Sequence, residues 1–159
     1  MSRRILNLAG FVACAGLMAY ALYAQYELML APCPLCIFQR VAVIALGLVF
    51  LLAFIHHPFG WGRQVYALLV LTAAGSGAFV AGRHVWLQNL PSDQVPSCGP
   101  GLGFMLEAFP ALEVLQMVLT GSGECASVDW SLLGLSMPAW VLIAIGVLGV
   151  FGVLNNLRR

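Results

Sequence analysis

Hydrophobic residues dominate four long stretches of the chain, and most polar residues fall between them. The stretches cover residues 5–26, 37–55, 65–87 and 137–154. Each is close to the roughly 20 helical residues that cross the hydrocarbon core of a bilayer. The pattern predicts an all-α membrane protein with four transmembrane helices. A short loop at 27–36 and a long loop at 88–136 would then lie on the same side of the membrane.

The long loop contains an apolar segment of its own, residues 101–120. Glu107, Pro110 and Glu113 lie near its middle, and carboxylates are costly at bilayer depth. A fifth crossing would also separate the two ends of the chain across the membrane. We therefore predict a short, broken amphipathic helix in the membrane interface. A packed cap on the helix bundle is the alternative.

Composition agrees with a membrane protein of one domain. Of the 159 residues, 62% are hydrophobic and 8% are charged, whereas soluble domains carry about 25% charged residues. The length suits a single domain that spans residues 1–159. The net charge of +1 gives no indication of a nucleic-acid partner, so the lipid bilayer is the expected surrounding.

The first apolar stretch has features of both a signal peptide and a transmembrane helix. A charged start followed by an apolar middle is typical of a signal peptide. The apolar run of about 20 residues is longer than the 7–15 residues usual in such peptides. We therefore expect this stretch to be retained as the first helix.

Arginines predict the orientation of the helices. Arg3 and Arg4 precede the first stretch, Arg63 lies between the second and third, and Arg158 and Arg159 end the chain. Four crossings place these regions on one side, which the positive-inside rule makes cytoplasmic. Both termini would then be cytoplasmic, and both loops would lie on the periplasmic side of a bacterial inner membrane.

Four of the five cysteines fall in the two outer loops. Cys33 and Cys36 lie in the short loop, Cys98 and Cys125 lie in the long one, and Cys14 lies within the first stretch. A cysteine within a span behaves as a small buried apolar residue. The outer side is an oxidising compartment, where disulfides persist. Four cysteines can pair in three ways, and one bridge in each loop is the simplest.

The Cys33–Cys36 pair indicates chemistry rather than a structural bridge. A disulfide across two residues constrains little of the unfolded chain, unlike one between Cys98 and Cys125. A C-x-x-C motif is typical of redox or metal sites. Ile37 stands where haem attachment needs histidine. A four-cysteine zinc site is the alternative, disfavoured because Cys98 and Cys125 are far apart in the sequence. We therefore expect no metal.

The residues around the motif favour a thiolate. Pro34 suits the first turn of a helix, so Cys36 would lie at the positive end of the helix dipole. Arg40 follows four residues later on the same face and about 6 Å deeper. Its guanidinium could stabilise the anion and hold a polar atom of a ligand from the membrane. Snorkelling of Arg40 to the interface is the alternative.

At these residues the sequence resembles the DsbB family of inner-membrane disulfide bond formation proteins. The resemblance covers nearly the whole chain and rests on "PCPLCIFQR" at 32–40, on Cys98 and Cys125, and on "SGECASVDWSLLGLSMPAW" at 122–140. It implies an enzyme that reoxidises a periplasmic DsbA-type oxidase of thioredoxin fold. Electrons would pass to ubiquinone from the membrane quinone pool, with menaquinone as a possible alternative.

The resemblance also implies a role for each loop cysteine. Cys33 and Cys36 would be the pair coupled to the quinone. Cys98 would form the mixed disulfide with the soluble partner, and Cys125 would exchange with Cys33. Cys36 would contact the quinone as a thiolate, with Arg40 beside it.

Two further residues are candidates for the quinone site by resemblance. His84 matches a family position near the quinone, and Met137 would line the same pocket. An interfacial histidine is the alternative for His84, and Arg83 is a competitor for its place. The glycine-rich "GPGLGF" after Cys98 departs from the family pattern. Glycines on both sides of 104–120 predict a mobile, membrane-tethered loop.

Two other classes of protein fit the sequence less well. A vitamin K epoxide reductase-like enzyme would carry its C-x-x-C after the loop pair, whereas here the motif comes first. A small transporter or assembly subunit would need polar residues along a pathway. The cores of the spans offer few beyond Thr72 and Ser76. Loss of Cys33 would spare such a protein and inactivate an oxidase.

Overall fold

The computed structural model describes residues 2–91, 93–97 and 102–158, most of them in helices. Cys98 lies outside the described residues. The helices are α1 (Arg3–Tyr26), α2 (Pro34–His56), α3 (Gly62–Gln88), α4 (Leu102–Ala108), α5 (Ala111–Thr120) and α6 (Met137–Leu157). Four of them are long and apolar enough to cross a membrane, with mean hydropathy between 1.8 and 2.4. The prediction of an all-α membrane fold with four long helices is confirmed.

Local sequence sets the ends of these helices. Ser2 caps α1, since its hydroxyl accepts a hydrogen bond from the backbone N–H of Ile5 at 3.4 Å. Cys33 caps α2 in the same way, with Pro34 at the first helical position. α2 ends at His56, and the cap residue His57 has a left-handed φ of 44°. The chain then turns within a few residues into α3.

The bundle packs closely because small residues face a large one. Phe50 of α2 is completely buried at the centre of the bundle. A Cβ atom added at Gly10 or Gly152 would lie only 2.9 or 2.7 Å from its ring. Close backbone approach of this kind is a common way for membrane helices to associate. Cys14 belongs to the same core and is 2% exposed.

The long loop folds against one end of the bundle. The predicted single broken helix is two helices, α4 and α5, which are separated at Pro110. The buried faces of these helices and Cys125 form a second apolar cluster with Leu35 of α2 and Leu87 of α3. Leu112 on the opposite face of α5 is 79% exposed. The segment therefore packs as a cap and still presents an apolar face outward.

A short β-hairpin precedes α6 and was not predicted. Its strands, Ser131–Leu132 and Leu135–Ser136, are antiparallel. Gly134 adopts a φ of 79° in the turn. The Trp140 indole N–H donates to the Leu132 carbonyl at 3.1 Å and ties the hairpin to α6.

Polar side chains inside the bundle form two groups, at opposite ends. Asn7 of α1 bonds Asn155 and Asn156 of α6 at 3.0–3.3 Å. Gln39 and His84 are buried at the other end. Both groups lie at or beyond the ends of the predicted spans, so they do not contradict the prediction that the cores of the spans offer few polar residues beyond Thr72 and Ser76. Those two hydroxyls donate to carbonyls of their own helix, at 3.0 Å each.

Candidate thiol redox site

The Cys33–Cys36 dithiol is held at the start of α2. The two sulfur atoms lie 2.8 Å apart, and both side chains are free thiols. Cys33 Sγ accepts a hydrogen bond from the backbone N–H of Cys36 at 3.3 Å. Cys36 therefore lies in the first turn of the helix, where the helix dipole favours a negative charge.

The buried ring of His84, on α3, lies beside both sulfur atoms. Its Nε2 is 3.8 Å from Cys33 Sγ, and its Nδ1 is 4.0 Å from Cys36 Sγ. The carboxamide of Gln39 approaches Nδ1 to 3.0 Å. α2 and α3 thus bring the predicted histidine to the dithiol. The sequence analysis did not name Gln39. Its signal in the sequence was its own polarity, since it is a polar residue in the first turns of an otherwise apolar helix.

Cys125 is brought to the dithiol by the long loop. Its sulfur, Cys33 Sγ and a ring nitrogen of His84 all lie within 4.8 Å of one another. A 3-10 turn over Gly123–Cys125 places the residue, and its side chain is 1% exposed. Gly121 has a φ of 90°, and an added Cβ there would overlap the side chain of Leu87. This close approach to α3 fixes where the loop returns to the bundle.

The surroundings of Cys125 keep its thiol protonated. The neighbouring Cys33 side chain, as a hydrogen-bonding partner, and then burial raise the pKa of Cys125 well above its usual range. Because iodoacetamide alkylates only the thiolate, we expect the alkylation rate of Cys125 in the reduced protein to keep rising beyond pH 9. An ordinary thiol has a pKa of about 8.5, so its alkylation rate would level off near that pH. Pulsed iodoacetamide labelling and mass spectrometry at several pH values measure the midpoint.

Two controls test the causes of this shift. Unfolding in dodecyl sulfate should return the midpoint to the ordinary range, because burial and the neighbour are both lost. The Cys33→Ala change should lower it in the folded protein. A midpoint near pH 8.5 in the folded, reduced protein would contradict this account of Cys125.

Arg40 is held in place by the first helix. Its guanidinium donates hydrogen bonds to the side-chain oxygen of Gln25 and, at 3.1 Å, to the backbone carbonyl of Ala21. Both partners belong to α1, so the arginine is fixed rather than free to extend along the bundle. Gln25 was also missed from the sequence, where it is a polar residue in the last turn of an apolar stretch.

A single cavity of about 490 Å³ joins the predicted ligand-binding residues. Side chains of α1, α2, α3 and α6 line it, together with residues of the long loop, and most of these side chains are apolar. Its lining includes all four residues proposed for a cofactor from the sequence: Cys36, Arg40, His84 and Met137. Cys33 and Gln39 line it too. The dithiol therefore lies in the wall of a largely apolar chamber between the long helices.

Arg83 does not compete with His84 for this cavity. Its guanidinium donates to the carbonyls of Leu119 and Thr120 at 3.0 and 3.1 Å, and it lies 4.1 Å above the ring of Trp86. These carbonyls end α5, where a cation is favourable. Arg83 therefore anchors the helix that leads into the Cys125 turn.

We expect Arg83→Ala to slow the approach of Cys125 to Cys33. In a Cys36→Ala, Cys98→Ala background, mild oxidation can join Cys33 and Cys125, and the rate can be followed by gel shift. These two hydrogen bonds are only partly shielded from water, so we expect their loss to slow this step about tenfold, the equivalent of about 1.4 kcal/mol.

Arg4→Ala is the matched control for this change, because Arg4 also stacks on an aromatic ring, 4.7 Å from that of Phe54. It lies at the other end of the bundle and should leave the rate unchanged. An unchanged rate in Arg83→Ala would mean that apolar packing alone positions the loop.

The fold and the site define a multi-pass helical membrane protein with a thiol cluster beside an internal cavity. A protein-family model, described as disulfide bond formation protein DsbB, matches residues 3–155. The chain belongs to this family, as the sequence motifs predicted. Disulfide bond formation is an oxidation of thiols, so the chain belongs among the oxidoreductases.

Relatives of similar length agree with this assignment. A disulfide bond formation protein B of Nitrosococcus oceani is 54% identical over 153 residues, which cover 96% of this chain and 90% of the relative. One from Methylococcus capsulatus is 54% identical and covers 97% and 94%. One from Marinobacter nauticus is 52% identical and covers 99% and 94%.

Proposed function

We propose that the protein is a thiol:quinone oxidoreductase that reoxidises a periplasmic DsbA-type dithiol oxidase and passes the electrons to ubiquinone. The position of the dithiol carries the proposal. Cys33 Sγ lies within 4.8 Å of the loop thiol of Cys125, and Cys36 lines the apolar cavity. The pair thus connects the long loop with a cavity that suits a membrane-soluble ligand.

The cavity residues fit a quinone. A volume of about 490 Å³ falls within the roughly 300–1,000 Å³ of most small-molecule pockets. Its apolar walls suit the ring and the start of an isoprenoid tail. The guanidinium of Arg40, the carboxamide of Gln39 and the ring of His84 would hold the quinone oxygens. When bound, the quinone supplies an acceptor for two electrons and two protons.

The cysteines carry the disulfide exchange. A thiolate of the soluble partner attacks Cys98 in a Cys98–Cys125 disulfide and releases Cys125. The Cys125 thiolate then attacks Cys33 in the Cys33–Cys36 disulfide, and Cys36 leaves as a thiolate. The second thiolate of the partner displaces Cys98 and closes the disulfide of the partner. The Cys98 thiolate then attacks Cys125 in the Cys33–Cys125 disulfide, which restores Cys98–Cys125 and releases Cys33. One disulfide is formed in the partner and one is lost here, so two electrons arrive at the dithiol.

The site favours this direction of transfer. A thiol whose pKa is raised is a stronger nucleophile once it is deprotonated, and it leaves less readily. Cys125 is such a thiol. The Cys36 anion, by contrast, forms in the first turn of α2, where unpaired backbone N–H groups stabilise it. Exchange from Cys125 toward Cys36 is therefore favoured over its reverse.

The arginines support an inner-membrane orientation with cytoplasmic termini. Arg63 donates to the carbonyl of Arg158 at 2.9 Å, and Asn155 donates to the carbonyl of Arg3 at 3.2 Å. The three arginine-bearing regions therefore meet at one end of the bundle, away from the thiols. The positive-inside rule makes that end cytoplasmic, and the redox loops would then face the periplasm.

An oxidation assay with the purified protein, a reduced DsbA-type oxidase and ubiquinone tests this function. We expect loss of partner thiols to match loss of the ubiquinone absorbance, one molecule per disulfide. Arg40→Ala should raise the KM for ubiquinone about tenfold, because a charged hydrogen bond contributes roughly 1.5–3 kcal/mol and about 1.4 kcal/mol is a factor of ten.

Arg63→Gln is the matched control, an arginine at the cytoplasmic end that should leave the KM unchanged. Oxidation of the partner without any quinone would contradict the proposal. Faster turnover with menaquinone than with ubiquinone would reassign the acceptor and leave the exchange intact.

A further inference from the structure

The thiol cluster includes a histidine nitrogen beside two cysteine sulfur atoms, an arrangement that disulfide exchange does not require. Cys33, His84 and Cys125 present two sulfur atoms and one ring nitrogen, all within 4.8 Å of one another. His84 and Cys125 are buried, and Cys33 is half-buried. We propose that the reduced protein binds Zn²⁺, or its heavier homologue Cd²⁺, at these three side chains.

The ligand set suits these cations. Thiolate and imidazole ligands select zinc and softer metals over Mg²⁺ and Ca²⁺. Zn–S bonds of about 2.3 Å and Zn–N bonds of about 2.0–2.1 Å place tetrahedral ligand atoms about 3.6–3.8 Å apart. The distance of 3.8 Å between Cys33 Sγ and His84 Nε2 already meets this requirement. Cys125 lies on the loop, and a shift of about 1 Å in that loop would complete the set.

Gln39 is placed to prepare the histidine. Its carboxamide lies 3.0 Å from His84 Nδ1. In the structure the nitrogen of this carboxamide faces Nδ1. Rotation of the carboxamide by 180° would bring its oxygen there, where it would accept the Nδ1–H hydrogen bond and leave the Nε2 lone pair directed at Cys33. Metal-binding histidines are commonly oriented by such a partner at the other nitrogen.

Charge balance favours the site in its buried setting. Binding removes one proton from Cys33 and one from Cys125, and the neutral imidazole loses none. Two thiolates and one divalent cation have no net charge, which limits the cost of burial. This set differs from a four-cysteine zinc site, because His84 takes part and Cys98 does not. A bound cation would occupy the sulfur lone pairs that exchange uses and would hold the protein reduced.

Cadmium titration of the reduced protein tests the site without any turnover. The Cys98→Ala variant removes the loop thiol that lies outside the described residues, and a phosphine keeps the others reduced. We expect one Cd²⁺ per chain and an ultraviolet sulfur-to-metal band. Cys125→Ala and His84→Gln should each weaken binding at least about tenfold, since even outer-shell changes cost about 10–100-fold.

Cys14→Ala is the matched control, because it removes a buried thiol from the bundle core and should leave the affinity unchanged. Circular dichroism checks that each variant is folded. Equal affinity in the parent, in Cys125→Ala and in His84→Gln would overturn the proposal and place the cation on the Cys33–Cys36 dithiol alone.

X-ray absorption of the zinc-loaded protein gives a second, independent readout. A nitrogen ligand at about 2.0–2.1 Å beside sulfur at about 2.3 Å is expected, and a sulfur-only shell would contradict the site. Both measurements leave out quinone and soluble partner, so they can fail while the proposed function stands.

Discussion

Replacement of Cys33 by alanine is expected to abolish disulfide generation. Among the described residues, its sulfur lies 2.8 Å from Cys36 Sγ and within 4.8 Å of Cys125 Sγ, so it joins the loop thiol to the cavity thiol. Removal of one member of a concerted catalytic unit costs several orders of magnitude in rate. We expect oxidation of a reduced DsbA-type partner, followed by thiol titration, to fall at least about a thousandfold.

Cys14→Ala is the control for this loss of activity. It removes a buried cysteine that takes no part in the cluster, and we expect turnover close to that of the unchanged protein. If Cys33→Ala kept a tenth or more of the activity while folded, Cys125 would have to exchange directly with Cys36. The proposed order of exchange would then be wrong.

Phe50→Ala is expected to be the most destabilising single change in the bundle. Phe50 is completely buried, and its ring fills the space opposite Gly10 and Gly152. Loss of a buried phenylalanine ring costs about 3–5 kcal/mol, because the cavity closes only in part. Unfolding of the detergent-solubilised protein by added dodecyl sulfate, followed by circular dichroism, measures the change in free energy of unfolding.

Phe79→Ala provides the matched comparison. Phe79 lies on α3 and is 64% exposed, so its truncation opens no internal cavity and should change the free energy of unfolding by less than about 0.5 kcal/mol. Similar values for Phe50→Ala and Phe79→Ala would mean that the bundle centre is loosely packed.

The long helices could be predicted from the sequence because each is apolar along its whole length. The same property concealed their packing. A helix that is apolar on every face does not show which face meets which neighbour. The Gln39–His84 and Gln25–Arg40 contacts depend on that rotation, and they became visible only in the structure.

The candidate site could be predicted in part, for two different reasons. Cys36 and Arg40 are four residues apart in one helix, so their shared face follows from helical geometry. The expectations for His84 and Met137 came from a family resemblance, and the structure places both in the cavity wall. The position of Cys125 depends on the fold of the long loop, which no local pattern specifies.

The loop itself shows why its fold was harder to predict. Pro110 marked a break, and the structure has one there. The hairpin at 131–136 was missed because its strands are only two residues long. Arg83 was only a competitor for the place of His84, and its actual partners are the backbone carbonyls of Leu119 and Thr120, which leave no signal in a sequence.

We propose that Cys36 meets a bound quinone beside Arg40, and the visible spectrum of ubiquinone-loaded Cys33→Ala is the test of this contact. Without Cys33, the Cys36 thiolate has no disulfide partner at that position and stays in the cavity wall. We predict a new visible absorption band that is lost in Cys33→Ala/Arg40→Ala and kept in Cys33→Ala/Arg63→Gln. Absence of the band from Cys33→Ala, with ubiquinone shown to be bound, would contradict the claim.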